Sequence, residues 1–253
     1  MQLRLLLLRN SMRFVKIYYF LIVILCCINC QQSRNITNDI VAPNWQNIEK
    51  LKYAVTRNDT AIGQVDYSVY TDVEGEMPVY ILNMLTVTKM DRDNLWDSSV
   101  VYFRRDNFVP VRAWRKVVTN LGYTVIETHY SGNKADIWLE TIDGIKTFNF
   151  TVRKPYFDNE MILTLLRSVR FTKVKRYSFN VFMPFSLQVN PITVSYAGKI
   201  TLTTPAGMFE CERISLVSLQ KTYHLYYEQQ EPRRLVRYQE KNSNIALVLT
   251  GDN

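Results

Sequence analysis

Histidine and cysteine are scarce in this chain, which has two histidines and four cysteines among its 253 residues. His129 and His224 lie apart in separate segments, and no serine occupies the Gly-x-Ser-x-Gly turn that presents a hydrolase nucleophile. The spacings of His, Cys, Asp and Glu that are typical of metal sites are also missing. We therefore expect no catalytic residue, no metal site and no cofactor.

A long apolar run is missing as well. The apolar stretch at residues 18–29 has about a dozen members, whereas a membrane-spanning helix needs about 20. A signal-peptide core needs only about 7–15 apolar residues after a basic segment, and Arg13 and Lys16 supply that segment. The sequence predicts a signal peptide over residues 1–29, with Met12 as an alternative start.

Three of the four cysteines, Cys26, Cys27 and Cys30, lie within this leader or at its end. In bacterial lipoproteins a cysteine at the end of the apolar core becomes the lipidated first residue, and Cys30 has that position. We predict lipidation at Cys30, with Cys26 and Cys27 as alternatives, and a flexible polar tether over residues 30–45. The expected location is the periplasmic side of the bacterial cell envelope, anchored to the membrane by the lipid. A plain secreted protein and an uncleaved anchor are the alternatives.

Half of the net positive charge belongs to the leader. The chain has 31 basic and 23 acidic residues, a net charge of +8, and four of the basic residues precede residue 30. Without them the balance is 27 against 23, or +4, and it is not clustered, so we expect no nucleic-acid partner. Only Cys211 then accompanies the lipidated cysteine, which excludes an intramolecular disulfide framework.

Residues 46–253 read as short segments in which large apolar and polar residues alternate. Such alternation is typical of strands with one buried face, and the connections are too short to hold crossover helices repeatedly. Asp143-Gly144 between two such segments is a strong hairpin signal. The sequence predicts about a dozen strands in one mainly β domain, a single curved or half-open antiparallel β-barrel with one covering helix.

One segment departs from the strand pattern. Asp158-Asn159 supplies an N-cap candidate, and the following Met161, Leu165, Leu166 and Val169 have helical spacing. We expect this helix to cover one side of the curved sheet.

Aromatic residues make up 13% of the chain and lie in or beside the expected strands. They indicate either a cavity for an acyl chain or similar ligand, or an ordinary packed barrel core. Trp114 and Trp138 share their strand faces with charged residues, so we expect at least one of them to face outward or to line a polar-rimmed groove. The predicted groove lies on the concave side under the helix, with Trp114, Trp138, Met161 and Leu165 as its ligand-lining residues.

Turn and strand signatures resemble a known family. The string ITLTTPAGMFECERISL, with Pro205-Ala206-Gly207 ahead of an aromatic residue and a strand, is similar to a stretch of the bacterial envelope family called domain of unknown function 3108. The helical segment before it, the strands from residue 223 onward and an opening hairpin with Gly63 follow that family's order. The resemblance covers residues 48–250. It implies a curved, half-open antiparallel barrel in the bacterial periplasm, somewhat like the LolA and LolB lipoprotein carriers in shape, and it implies no catalytic residue.

Three functions stay open at this point. The first is a non-enzymatic envelope lipoprotein that binds an apolar ligand or an envelope component in its concave sheet. The second is a structural or assembly protein that contacts an envelope protein partner through its sheet edge or surface. The third is a secreted hydrolase without a recognisable motif.

The substitution Cys30→Ser tests the predicted lipid anchor. Cys30→Ser should abolish incorporation of radiolabelled palmitate and release the protein from membranes, because an acyl chain contributes about 0.8 kcal/mol of membrane binding per buried methylene. Labelling that survives in Cys30→Ser but disappears in Cys26→Ser or Cys27→Ser would move the site upstream. Labelling that none of the three changes affects would contradict lipidation of the leader.

Overall fold

A computed structural model describes residues 36–43, 45, 48–90, 93–171 and 176–252. These residues belong to one compact unit, Asn35–Asn253. The predicted signal peptide, the lipidation site at Cys30 and the first residues of the predicted tether lie outside the described residues.

The later part of the predicted tether packs against the domain. Residues 36–39 form a 3₁₀ turn, and the side chains of Ile36 and Trp45 are buried. The Trp45 ring lies 4.8 Å from Tyr80 and 6.1 Å from Phe108, measured between ring centroids. Burial of these large apolar side chains outweighs the entropy cost of fixing a short polar segment, so Ile36 and Trp45 attach this part of the chain to the domain.

The described chain contains fifteen strands: β1 (Ile48–Arg57), β2 (Thr60–Glu74), β3 (Met77–Met90), β4 (Asp93–Arg104), β5 (Pro110–Thr119), β6 (Gly122–Ser131), β7 (Lys134–Thr141), β8 (Gly144–Thr151), β9 (Tyr156–Asp158), β10 (Arg176–Met183), β11 (Gln188–Thr204), β12 (Gly207–Ser218), β13 (Lys221–Glu228), β14 (Leu235–Glu240) and β15 (Ile245–Asp252). The same residues contain one α-helix, α1 (Ile162–Arg167), and further 3₁₀ turns at Asn159–Met161 and Pro184–Ser186.

All fifteen strands form one sheet in the order β8-β7-β6-β5-β4-β3-β2-β1-β15-β14-β13-β12-β11-β10-β9. The short strand β9 runs parallel to β10, and the other neighbours are antiparallel. The first and last strands pair in the middle of the sheet, where Val55 lies opposite Leu247. The outer strands β8 and β9 do not pair with each other, so the sheet is not closed into a barrel. The predicted fold class, mainly β with a curved, half-open antiparallel sheet and one covering helix, is confirmed.

Strands β8 and β9 at the two ends of the sheet are not hydrogen-bonded to each other. Side chains from the two halves of the sheet are nevertheless in contact. The ring of Phe150 on β8 lies 5.2 Å from that of Phe182 on β10, and Tyr130 on β6 lies 6.3 Å from the same ring. Ile137 and Tyr156 are buried in the same cluster. Apolar packing therefore holds the sheet curled around its concave side, where a second and larger cluster forms the main core.

Two glycines make tight hairpins possible at the ends of strands. Gly144 has φ +117° and Gly207 has φ +129°, a region that other residues rarely adopt. The predicted hairpin at Asp143-Gly144 joins β7 to β8, with Thr141 paired with Gly144. Thr204 pairs with Gly207 in the same way between β11 and β12.

The helix lies at the predicted position but is shorter than its apolar spacing suggests. Asp158 caps the 3₁₀ turn Asn159–Met161 that leads into α1, because its side chain accepts a hydrogen bond from the backbone N–H of Glu160 at 2.8 Å. The α-helical part ends at Arg167. Val169 forms a β-bridge with Ile40 instead, so the chain leaves the helix before that residue.

The four apolar positions that predicted the helix, Met161, Leu165, Leu166 and Val169, are fully buried in the main core. A helix of six residues is not stable alone in water, because nucleation costs more than so few hydrogen bonds return. Each buried apolar side chain contributes about 1.5–3 kcal/mol. Tertiary packing therefore holds this helix in place.

Arg167, the last residue of α1, is 1% exposed. Its Nη1 and Nη2 donate to the two carboxylate oxygens of Glu49 on β1 at 2.5 and 2.8 Å, and Nη1 also donates to the Tyr67 hydroxyl on β2 at 3.0 Å. Its Nε and Nη2 donate to the backbone carbonyls of Arg233 and Pro232 at 3.0 and 2.9 Å. One guanidinium thus ties the helix to two strands and to the β13–β14 connection.

Two tyrosines hold the middle of the helix. Tyr227 on β13 donates its hydroxyl to the carbonyl of Leu163 at 2.9 Å, and the hydroxyls of Tyr67 and Thr164 lie 3.1 Å apart. Burial raises the pKa of both tyrosines, so they stay neutral hydrogen-bonding groups at physiological pH.

The substitution Arg167→Leu tests how much the Arg167–Glu49 ion pair stabilises the fold. Arg167→Leu leaves Glu49 without its cation, and loss of one partner of a buried pair costs about 3–5 kcal/mol of unfolding free energy. The matched control is Arg104→Leu, which breaks an exposed pair with Asp106 and should leave the free energy of unfolding nearly unchanged. Urea unfolding of the three proteins measures both changes. Equal small shifts in the two variants would show that the buried pair does not hold the helix.

Candidate functional site: an apolar groove beside the helix

A groove of about 460 Å³ lies on the concave side between α1 and strands β10–β13. Small-molecule sites usually enclose about 300–1,000 Å³, so this groove falls within their range. Its apolar wall residues are Met84, Ile162, Leu163, Val181, Met183, Ile192, Leu216, Leu219, Tyr223 and Tyr238. A groove is therefore present beside the helix, whereas the sequence predicted it under the helix.

Polar groups are few and lie at the start of the helix and near strand turns. They are Asn159, Glu160, Asn190, Ser218 and Lys221. Ser218 ends β12 and Lys221 begins β13, so both belong to the β12–β13 turn. The Lys221 Nζ lies 3.3 Å from Glu240 Oε2, and Asn190 Nδ2 lies 2.7 Å from Met183 Sδ. The groove thus combines apolar walls with a small number of polar groups.

Strand alternation produces the aromatic wall of the groove. Tyr223, Leu225 and Tyr227 occupy every second position of β13 and share one face of the sheet, and Tyr238 on β14 lies opposite Leu225. The rings of Tyr223 and Tyr238 stack with centroids 5.5 Å apart and planes 11° apart. This pair forms a flat apolar surface on one side of the groove.

A small space of about 20 Å³ lies behind the groove wall. It is lined by Tyr53, Val65, Tyr67, Met84, Leu163, Arg167, Leu235 and Leu247. Met84 and Leu163 line both this space and the groove, so their side chains form the partition between them.

A cluster of partly buried charged groups, together with the buried Asp158, holds the start of the helix next to the groove. Arg115 on β5 donates to the two oxygens of Asp97 at 2.9 and 2.6 Å and to Glu160 at 2.7 Å. Tyr130 donates a hydrogen bond to Asp158. Burial raises the pKa of Asp158 to about 7, and it raises the pKa of Glu160 although the Arg115 cation opposes the shift. Asp158 therefore takes up a proton as the pH falls through about 7.

The structure places the four predicted ligand-lining residues outside the groove wall. Met161 and Leu165 are fully buried in the core beneath the helix. Trp138 alternates with buried residues of β7, so its side chain faces away from the concave side. Trp114 borders a separate cavity of about 20 Å³, together with Asp158.

Ile162 and Leu163 provide the helical part of the wall, and the prediction overlooked them. Helical spacing identifies the face that packs on the core. Ile162 lies on that face and is buried in the main core, whereas Leu163 lies beside it and is partly buried. The sequence did contain a signal for this second covered surface, because the segment from Ile162 to Leu166 is apolar at four of five positions. A helix that is apolar all round is covered on more than one side.

The groups considered for catalysis are separated. Cys211 is buried, and burial raises the pKa of its thiol to about 12. It pairs with Glu228, whereas His224 pairs with Ser215 farther along β12, and His129 lies on β6. Among the described residues, no three His, Cys, Asp or Glu side chains are grouped to hold a metal ion. Within the same ranges, no helix is long and apolar enough to cross a membrane.

Solved structures share this architecture. A β-barrel-like protein of domain of unknown function DUF1849 from Brucella abortus superimposes with a TM-score of 0.55 at 9% identity, covering 85% of this chain and 98% of its own. At that identity the likeness shows the fold alone. A protein provisionally named a lipoprotein from Parabacteroides distasonis has a TM-score of 0.33 at 13% identity, covering 85% of this chain and 99% of its own. An exported protein, also provisionally named, with a YmcC-like fold from Bacteroides fragilis has a TM-score of 0.29 at 9% identity, with the same coverage. TM-scores this low support no argument.

Sequence comparison identifies the family. Among proteins with curated descriptions, none matches this chain significantly. The family described as protein of unknown function (DUF3108) matches residues 52–248, which include most of the sheet, the helix and the groove. The chain belongs to this family, as its turn and strand signatures indicated.

Proposed function

We propose that this chain is a non-enzymatic protein of the bacterial cell envelope that binds one apolar ligand in the groove beside α1. The groove is the observation that carries the proposal. A purely structural barrel packs its concave side to the density of an organic crystal, whereas here about 460 Å³ stays open between apolar walls. Maintaining unfilled apolar surface costs stability, and a ligand that covers it offsets that cost.

The size and lining of the groove favour a small amphiphilic molecule as the occupant. Ten of its fifteen wall residues are apolar, and the polar ones are few and localised, as in sites for small molecules. The stacked pair of Tyr223 and Tyr238 offers a flat apolar surface. A protein partner would need about 800 Å² of contact surface on each side, far more than one narrow groove provides.

Attachment to a membrane is the second part of the proposal. The leader pattern supports export and lipidation at Cys30, and Ile36 is buried in the domain. Six residues span at most about 20 Å when fully extended. An anchor at Cys30 would therefore keep Ile36, and with it the domain, at the membrane, where apolar ligands are concentrated.

Binding of an environment-sensitive lipid probe tests the groove directly. The wild-type protein should bind about one probe per chain, and fatty acids should displace it. Met183→Trp places a large ring in the groove wall and should weaken binding at least about tenfold, or about 1.4 kcal/mol. Met208→Trp is the matched control, because Met208 is 74% exposed and lies outside the groove.

The outcomes separate the functional candidates. If the wild type and Met208→Trp bind the probe saturably and Met183→Trp does not, the result supports the groove as the ligand-binding site. Absence of saturable binding in the wild type would remove the ligand-binding proposal and favour a structural or assembly role.

A further inference from the structure

We infer that Met84 and Leu163 close the inner end of the groove and thereby set the length of the ligand, a linear amphiphile with a single apolar chain. The polar head stays at the β12–β13 turn near Lys221, and the chain end reaches the partition. This inference rests on the proposed function and assigns its ligand class and its specificity-determining residues.

The two cavities locate the closed end. The groove holds about 460 Å³ and the space behind it about 20 Å³, and Met84 and Leu163 are the residues that line both. The space beyond the partition is lined by Val65, Leu235 and Leu247, and also by Tyr53, Tyr67 and the buried Arg167. Met84 and Leu163 are therefore the first side chains that stop a chain end, and the space of about 20 Å³ beyond them is bounded in part by Arg167.

Hydrogen bonds keep the partition in place. Tyr227 donates to the carbonyl of Leu163, and the next residue, Thr164, contacts the Tyr67 hydroxyl. Arg167, one turn farther on, is bound to Glu49. Because the backbone around Leu163 is held at these points, the helix cannot shift to admit a longer chain, and the Leu163 side chain is a fixed stop.

Exposure at the β12–β13 turn indicates the direction of entry. Ser218 and Lys221 lie at the β12–β13 turn, and Leu219 between them is 58% exposed, so this end of the groove opens to water. The partition between Met84 and Leu163 carries no charge. A polar head is solvated at the turn, whereas an apolar chain gains by lying along Leu216 and Tyr223 toward the partition.

The affinity of the protein for ligands of increasing chain length tests this inference. Each additional methylene that enters the groove should lower Kd about fourfold, which corresponds to about 0.8 kcal/mol. Methylenes beyond the partition should add nothing. The dependence of Kd on chain length should therefore break at one length in the wild-type protein.

The experiment measures Kd for saturated fatty acids from decanoate to stearate by displacement of a fluorescent lipid probe. Leu163→Ala joins the two spaces and should move the break to longer chains, whereas Leu163→Phe should move it to shorter ones. Ile162→Ala is the matched control, because Ile162 lines the groove but not the space behind it. This control should weaken binding at every length and leave the break unchanged.

The outcomes distinguish this inference from the proposed function. A break that moves in opposite directions in the two Leu163 variants supports it, and Leu163→Phe alone decides if Leu163→Ala does not fold. Saturable binding with the same break in every protein would overturn the length-setting role and leave the proposed function intact. Absence of saturable binding at all lengths would remove both.

Discussion

The ion pair between Arg167 and Glu49 is the interaction on which the rest of this structure depends. A charged side chain is tolerated in an apolar core only when its donors are satisfied, and here the partners come from two strands and the β13–β14 connection. The helix that carries Arg167 has six residues and cannot persist without such contacts. The buried guanidinium therefore fixes where the helix crosses the concave side of the sheet.

The position of the helix divides the concave side into two regions. Met161 and Leu165 fill the core beneath it, and Ile162 and Leu163 face the groove. At the start of the helix, the partly buried charges around Arg115 hold the other end of the same wall. Side chains across the seam, and not a closed ladder, hold the sheet curled around this concave side.

Local patterns in the sequence predict local features of the structure. They do not reveal contacts between residues that are far apart in the sequence. The N-cap at Asp158, the buried helix positions and the hairpin at Asp143-Gly144 all depend on a few neighbouring residues, and the structure contains each of them. Arg167 finds its carboxylate partner 118 positions away, which no periodicity reveals. The groove wall was missed for a related reason, because Leu163 lies on the helix face that spacing leaves unassigned. Trp138 shares its strand face with charged residues and faces away from the concave side, so its expected place in the groove lining conflicted with its own alternation.

Organic extraction of the purified wild-type protein, followed by mass spectrometry, tests the central claim most directly. The account predicts one class of single-chain amphiphile, recovered at about one molecule per chain and lost from Met183→Trp but retained by Met208→Trp. Recovery of no lipid from the wild type, or of the same mixture from all three proteins, would contradict the claim that the groove beside the helix is a ligand site.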